Sequence, residues 1–136
     1  MNKCFIDTNI FLRFLTNDDP KKALRIEALF QKAISGKIQL TTNHLVIAEI
    51  VWTLDSYYGL EKEDIASKIA MILNTPCLEI QQNSFIAEAL AIYVGKNIDW
   101  IDAYNATYMK YSHLKKIFTY DKKHFTRIEG LQVIEP

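Results

Sequence analysis

The sequence predicts an α/β fold: a mainly parallel sheet with helices over both faces. Three observations carry that expectation. Short apolar runs alternate with longer segments of helical periodicity along the whole chain. Two of those runs end in an aspartate, Asp7 and Asp121, as strands do where an open α/β sheet builds its site. The 136 residues contain no linker, internal repeat or low-complexity tract. They therefore read as one domain, residues 1–136, large enough to bury about two-thirds of the unfolded chain's surface.

Residues 3–7 are a short apolar run ending in a carboxylate, which reads as a buried parallel strand. A helix follows over 8–16. Asp19-Pro20 starts the next helix, Asp as N-cap and Pro at the first helical position. Ala23, Leu24, Ile26, Leu29, Phe30, Ala33 and Ile34 give it an apolar stripe, and Gly36 ends it. Residues 38–42 form a second strand. Asn43 caps a long apolar helix through Leu54 that ends near Gly59. Residues 62–73 are helical, and Pro76 leads into a strand over 77–80. Helices over 84–94 and 100–112 precede strands over 116–119 and 131–134.

Sixteen basic residues balance sixteen acidic ones, so the net charge is zero. Such a balance excludes a protein held on nucleic acid by bulk positive charge. With 49% apolar residues and 24% charged, the chain is not a disordered one. Two cysteines, Cys4 and Cys77, are too few for a disulfide framework or a thiolate metal site. No apolar run reaches the length of a membrane span or resembles a signal peptide, so a cytoplasmic protein is expected.

The balance conceals a pattern. Residues 1–40 carry seven basic and four acidic side chains, residues 41–102 three and nine, and residues 103–136 six and three. Both ends are basic and the middle is acidic. Scatter over solvated helix faces would explain this, unless the acids sit in unusual places.

Several do. Asp7 stands between Cys4-Phe5-Ile6 and Ile10-Phe11-Leu12, where it either caps a helix or belongs to a strand-end site. Glu49 lies in Leu45-Val46-Ile47-Ala48-Glu49-Ile50-Val51-Trp52, with no polar face to share and no cation within a turn. It requires a buried partner or a functional role. Asp99 and Asp102 open a helix three residues apart, on nearly one face. Capping suffices for Asp99, whereas Asp102 sits inside the first turn beside small Ala103 and Ala106. Asp121 repeats the Asp7 arrangement after Ile117-Phe118-Thr119-Tyr120, and alone it would read as a turn residue.

Four carboxylates brought together repel unless a cation joins them. Oxygen ligands suit Mg²⁺, with Mn²⁺ as the alternative, and both ions bind substrate phosphate. Zinc is disfavoured, because His44, His113 and His124 are scattered without ligand spacing and are given no catalytic role. No glycine-flanked serine or phosphate-cradling glycine loop is present.

Phe5-Ile6-Asp7-Thr8-Asn9, Ala48-Glu49, Asp99-Trp100-Ile101-Asp102-Ala103 and Thr119-Tyr120-Asp121-Lys122-Lys123-His124-Phe125 occur in the order found in PIN domains. The chain resembles the VapC-type toxins, small single-domain PIN ribonucleases, over almost its whole length. The resemblance implies a three-layer α/β/α fold and metal-dependent cleavage of RNA phosphodiester bonds. It carries the catalytic and metal-binding acids onto Asp7, Glu49, Asp102 and Asp121. Asp99, Asn9 and Thr119 match accessory positions. It further implies an antitoxin protein as partner and a homodimer as a common state. The basic ends, Arg13, Lys122 and Lys123 among them, are then expected to track the RNA backbone. An apolar groove among the N-terminal helices, with Phe11, Phe14 and Leu15, is the expected antitoxin seat, although helix-to-sheet packing explains those residues equally well.

Three other readings compete. A housekeeping RNA-processing PIN nuclease would share every motif. A non-catalytic RNA- or protein-binding module on the same fold would have lost an acid, and none is lost. A phosphoryl-transfer protein of haloacid-dehalogenase type resembles Asp-x-Asp after the first strand, where Asn9 stands here.

Overall fold

A computed structural model of the chain describes residues 2–136, with five strands and seven helices among them. Its internal contacts form two compact units, one running to Asn83 and the other Ser84–Pro136. All strand pairing among the described residues is parallel, in two sheets. The α/β class with parallel strands is as the sequence predicts.

The first unit begins with β1 (Lys3–Phe5), α1 (Thr8–Thr16) and α2 (Pro20–Ile34). It continues through β2 (Gln39–Thr42), α3 (His44–Ser56), α4 (Lys62–Leu73) and β3 (Leu78–Ile80). β2 is the middle strand, pairing Cys4 with Leu40 on one side and Leu40 with Leu78 on the other. Being an edge strand, β1 is less covered than its apolar sequence suggests, and its three residues are exposed. Ile6, just beyond it, is buried.

Local rules set the helix ends. Asp19 caps α2 through a bond from the Lys22 amide, with Pro20 in the first turn. At the other end Gly36 takes φ 81°, and its N–H and that of Lys37 return to Ala33 and Lys32. Asn43 accepts from both the Leu45 and Val46 amides at the start of α3. The strand expected from Cys77 begins one residue later, because Cys77 adopts φ 62°, which interrupts extended backbone.

α3 buries Val46, Ile47, Ile50, Val51 and Leu54. Ile65 and Ile69 of α4 and Leu40 of β2 are also fully buried. Phe11 and Phe14 of α1 pack against Phe30 of α2, one tilted and one edge-on, with ring centres 6.4 and 5.5 Å apart.

In the second unit, α5 (Asn83–Gly95, starting at the boundary) and α6 (Trp100–Tyr111) precede β4 (Lys116–Phe118), α7 (Lys122–Phe125) and β5 (Gln132–Ile134). β4 pairs with β5, Ile117 opposite Val133. Tyr93 of α5 meets Trp100 of α6 edge to face at 5.8 Å. The one-turn helix α7 was not expected; Phe125, buried at its end, supplies the burial that makes it worthwhile. Among the described residues no helix is long and apolar enough to cross a membrane.

Candidate active site

In the first unit the site is built around Thr8. The chain leaves β1 with the Ile6 amide bonded to the Thr41 carbonyl, and the Thr42 hydroxyl donates to the Ile6 carbonyl. These bonds fix the exit into Asp7. Asp7 then caps α1, its Oδ1 accepting from the Thr8 amide at 2.7 Å. Capping and a functional role are compatible, since only Oδ1 is engaged by that bond. Only 8% exposed, Thr8 donates its hydroxyl to Glu49 Oε1 at 2.8 Å. One threonine thus bonds Asp7 through its amide and Glu49 through its side chain.

Both carboxylates are exposed rather than buried, which corrects the expectation for Glu49. α3 does present a face to water, formed by Leu45, Glu49 and Trp52 at helical spacing, and Trp52 is 68% exposed on it. Apolar neighbours in sequence were a poor guide, because two of them share the exposed face. Glu49 has its partner in a hydroxyl, not in a cation.

Asn9 is exposed on α1. With Ile10, Arg13, Lys22, Arg25 and Ile26 it lines a cavity of about 330 Å³. Arg13 pairs with Asp18 at 3.2 Å. The Tyr58 hydroxyl also donates to Asp18, at 2.9 Å. That bond, with Arg13 adding to it, holds the Asp18 carboxyl below its ordinary value.

The second unit gathers the remaining acids. Asp121 follows β4, and its amide donates to the Thr119 hydroxyl at 3.0 Å, as a supporting position would. It caps α7 by accepting from the His124 amide at 3.3 Å. The ring of the same His124 turns toward three carboxylates: Nδ1 lies 2.8 Å from Asp102, 3.3 Å from Asp121 and 3.8 Å from Asp99. Asp102 is largely covered, while Asp99 is 75% exposed at its side chain. Asp99 occupies the N-cap position of α6 but makes no side-chain capping bond, so the capping explanation accounts only for its backbone. Arg127 donates to the carbonyls of Lys96 and Asn97, which holds the turn leading into Asp99.

His124 has no ligand spacing to another histidine, yet its ring meets three of the acids. Its signal lay in the i,i+3 relation to Asp121, which puts both on one side of a helix but is meaningless in a turn. The same holds for Thr8, hidden beside Asp7 as an ordinary helix-start residue. Asp99, Asp102 and His124 each offer an atom within 4.8 Å of the others, a set that could hold a metal ion. Two carboxylates joined by one imidazole nitrogen, with no thiolate, offer a donor set for a divalent ion.

Of the basic residues, Lys122 pairs with Glu135 at 2.7 Å, and both are exposed. Lys123 is exposed on α7. Such surface pairs are worth about 0–1 kcal/mol and yield readily to another anion.

A relative from Aquifex aeolicus (strain VF5), the "VapC ribonuclease", is 26% identical over 131 residues, which cover 96% of this chain and 95% of that protein. The family model of the PIN domain matches residues 4–131, nearly the whole length and Asp7, Glu49, Asp99, Asp102 and Asp121 with it, and the chain belongs to the PIN domain family.

Proposed function

We propose that this PIN-domain chain is a divalent-metal-dependent endoribonuclease and the toxin of a type II toxin–antitoxin pair. Asp7, Glu49, Asp102 and Asp121 are its metal ligands, Mg²⁺ or Mn²⁺ the ion, and residues 1–136 act as one domain. The observation that carries the reading is the pairing of Asp7 and Glu49 through Thr8. A carboxylate beside Leu45 and Trp52 is held by a buried hydroxyl next to a strand-end aspartate, at 2.8 Å. The likeness over 96% of the chain to a protein named VapC ribonuclease supports the substrate.

Bound divalent ions would activate water for in-line attack and stabilise charge on the leaving oxygen. The chain's own part is to hold negative charge in fixed places. Thr8 orients Glu49, Thr119 supports the backbone of Asp121, and the amide of Thr8 fixes one oxygen of Asp7. Asp99 is accessory, as is Asn9, beside the cations of α1 and α2. Arg13, Lys122 and Lys123 exchange their present partners or water for RNA phosphates.

Asp7→Asn tests this directly, because asparagine keeps an acceptor for the Thr8 amide and so spares the cap. The expected result is loss of Mg²⁺-dependent RNA cleavage with the circular dichroism spectrum and melting curve retained. Equal cleavage by variant and parent refutes the assignment.

For the antitoxin, the seat is the cavity of about 270 Å³ lined by Phe11, Phe14, Leu15, Phe30, Ile34 and Met71. An amphipathic segment of the partner would bury apolar side chains there. Phe14→Ser should weaken inhibition by the protein encoded in the adjacent upstream reading frame without reducing cleavage. Unchanged inhibition would exclude this seat, and cleavage unaffected by any neighbouring gene product would favour an RNA-processing nuclease.

A further inference from the structure

We infer that the His124 imidazole is itself a ligand of the divalent ion held by Asp102, contributing a nitrogen donor that moves the site's preference from Mg²⁺ toward first-row transition ions. The inference rests on the metal-dependent reading above. Its basis is a match of distances. Donor atoms at about 2.1 Å from an octahedral ion stand about 3 Å apart when adjacent. Nδ1 of His124 lies 2.8 Å from Asp102 Oδ2 and 3.3 Å from Asp121 Oδ2, the spacing of neighbouring ligands. Asp99 Oδ2, at 3.8 Å, stands wider and is the least covered of the three acids.

A hydrogen bond from Nδ1–H to Asp102 would produce the same 2.8 Å separation. Two features favour ligation. One ring nitrogen offers a single proton, which Asp102 takes at 2.8 Å, yet a second carboxylate oxygen, of Asp121, stands 3.3 Å from the same nitrogen without a hydrogen bond to it. The ring is also anchored before any ion arrives. Its own amide bonds Asp121, Phe125 beside it is buried, and the His124 side chain is only 16% exposed. The ring therefore faces the carboxylates without a rearrangement, and ligation through Nδ1 would leave the ring proton on Nε2. Nitrogen donors raise the affinity for transition ions, whereas Mg²⁺ prefers oxygen alone.

Mn²⁺ is the probe that decides the matter, because its electron spin reports directly on bound nitrogen. Pulsed electron paramagnetic resonance of the Mn²⁺-loaded full chain should show ¹⁴N modulation from the imidazole. The signal should vanish in His124→Asn and persist in His113→Asn, an exposed histidine at φ 58° where asparagine is tolerated. In calorimetry, His124→Asn should weaken Mn²⁺ binding about tenfold and Mg²⁺ binding much less. Asparagine can still donate to Asp102 from near the Nδ1 position. Wild-type Mn²⁺ affinity in His124→Asn would therefore leave His124 as a positioning residue and overturn the inference. Absence of ¹⁴N modulation in the fully loaded parent would overturn it too, whatever the variant does. Failure of the parent to bind either ion would instead bring down the metal-dependent reading together with the inference.

Discussion

Removing the Thr8 hydroxyl tests the joint between α1 and α3. In Thr8→Val the side-chain shape is kept and only the donor to Glu49 Oε1 is lost. A bond to a charged acceptor contributes about 1.5–3 kcal/mol when both groups are desolvated. Here the donor is on a residue 8% exposed, but Glu49 is exposed, so water replaces the lost hydroxyl at Oε1. The expected coupling in a cycle of Thr8→Val with Glu49→Ala is therefore about 0.5–1 kcal/mol. For an m-value of about 2 kcal/mol/M, a coupling of that size displaces the urea midpoint by about 0.3–0.5 M. Urea unfolding of the parent, both single variants and the double variant at neutral pH measures it. Under the proposed function, Thr8→Val should also lower Mg²⁺ affinity about tenfold, since an unsupported carboxylate is a poorer ligand. A coupling within about 0.3 kcal/mol of zero would mean that the bond does not position Glu49, and the argument built on it would fall.

Three further outcomes are expected. Ile50→Ala, at a fully buried position of α3, should cost about 3 kcal/mol in urea unfolding, and a loss below that of a surface substitution would contradict its place in the core. Asn43→Ala removes the acceptor of two α3 amides and should cost about 1 kcal/mol; an unchanged midpoint would show the cap to be idle. The third concerns acid. Glu88 is held below its ordinary value by the Lys110 ammonium and the Tyr111 hydroxyl, and Asp18 by the Tyr58 hydroxyl with Arg13. Carboxyls depressed in the folded state contribute stability above their unfolded pKa and lose it as pH falls through the folded one. Tyr58→Phe should accordingly raise the Asp18 pKa toward its ordinary value in an NMR titration, and Glu88→Gln should flatten the loss of stability at acid pH. An unmoved Asp18, or an acid limb as steep in Glu88→Gln as in the parent, would show these contacts absent in solution.

Local chemistry alone set most element boundaries. α1 and α4 run over the residues that periodicity predicts, and Asp19, Asn43 and Gly36 end helices as their side chains or backbone freedom require. Those signals act over a few residues, so one sequence displays them in full. The acids were visible too, because a carboxylate inside an apolar run is costly and calls for a reason. What each acid touches was another matter. Glu49 looked unpartnered in its helix, yet its bond comes from Thr8, 41 positions earlier in the chain. Asp99 looked like a cap, and its carboxylate makes no capping bond and lies instead 3.8 Å from a histidine 25 positions later. His124 looked idle until Phe125 was buried and α7 formed, which turned its ring toward Asp102 and Asp121. Sequence by itself determined the α/β class, the helix ends and the identity of the acids, because propensity, capping and desolvation are local costs. Only the tertiary structure decided their partners, because a hydrogen bond between distant residues depends on how helices and strands pack.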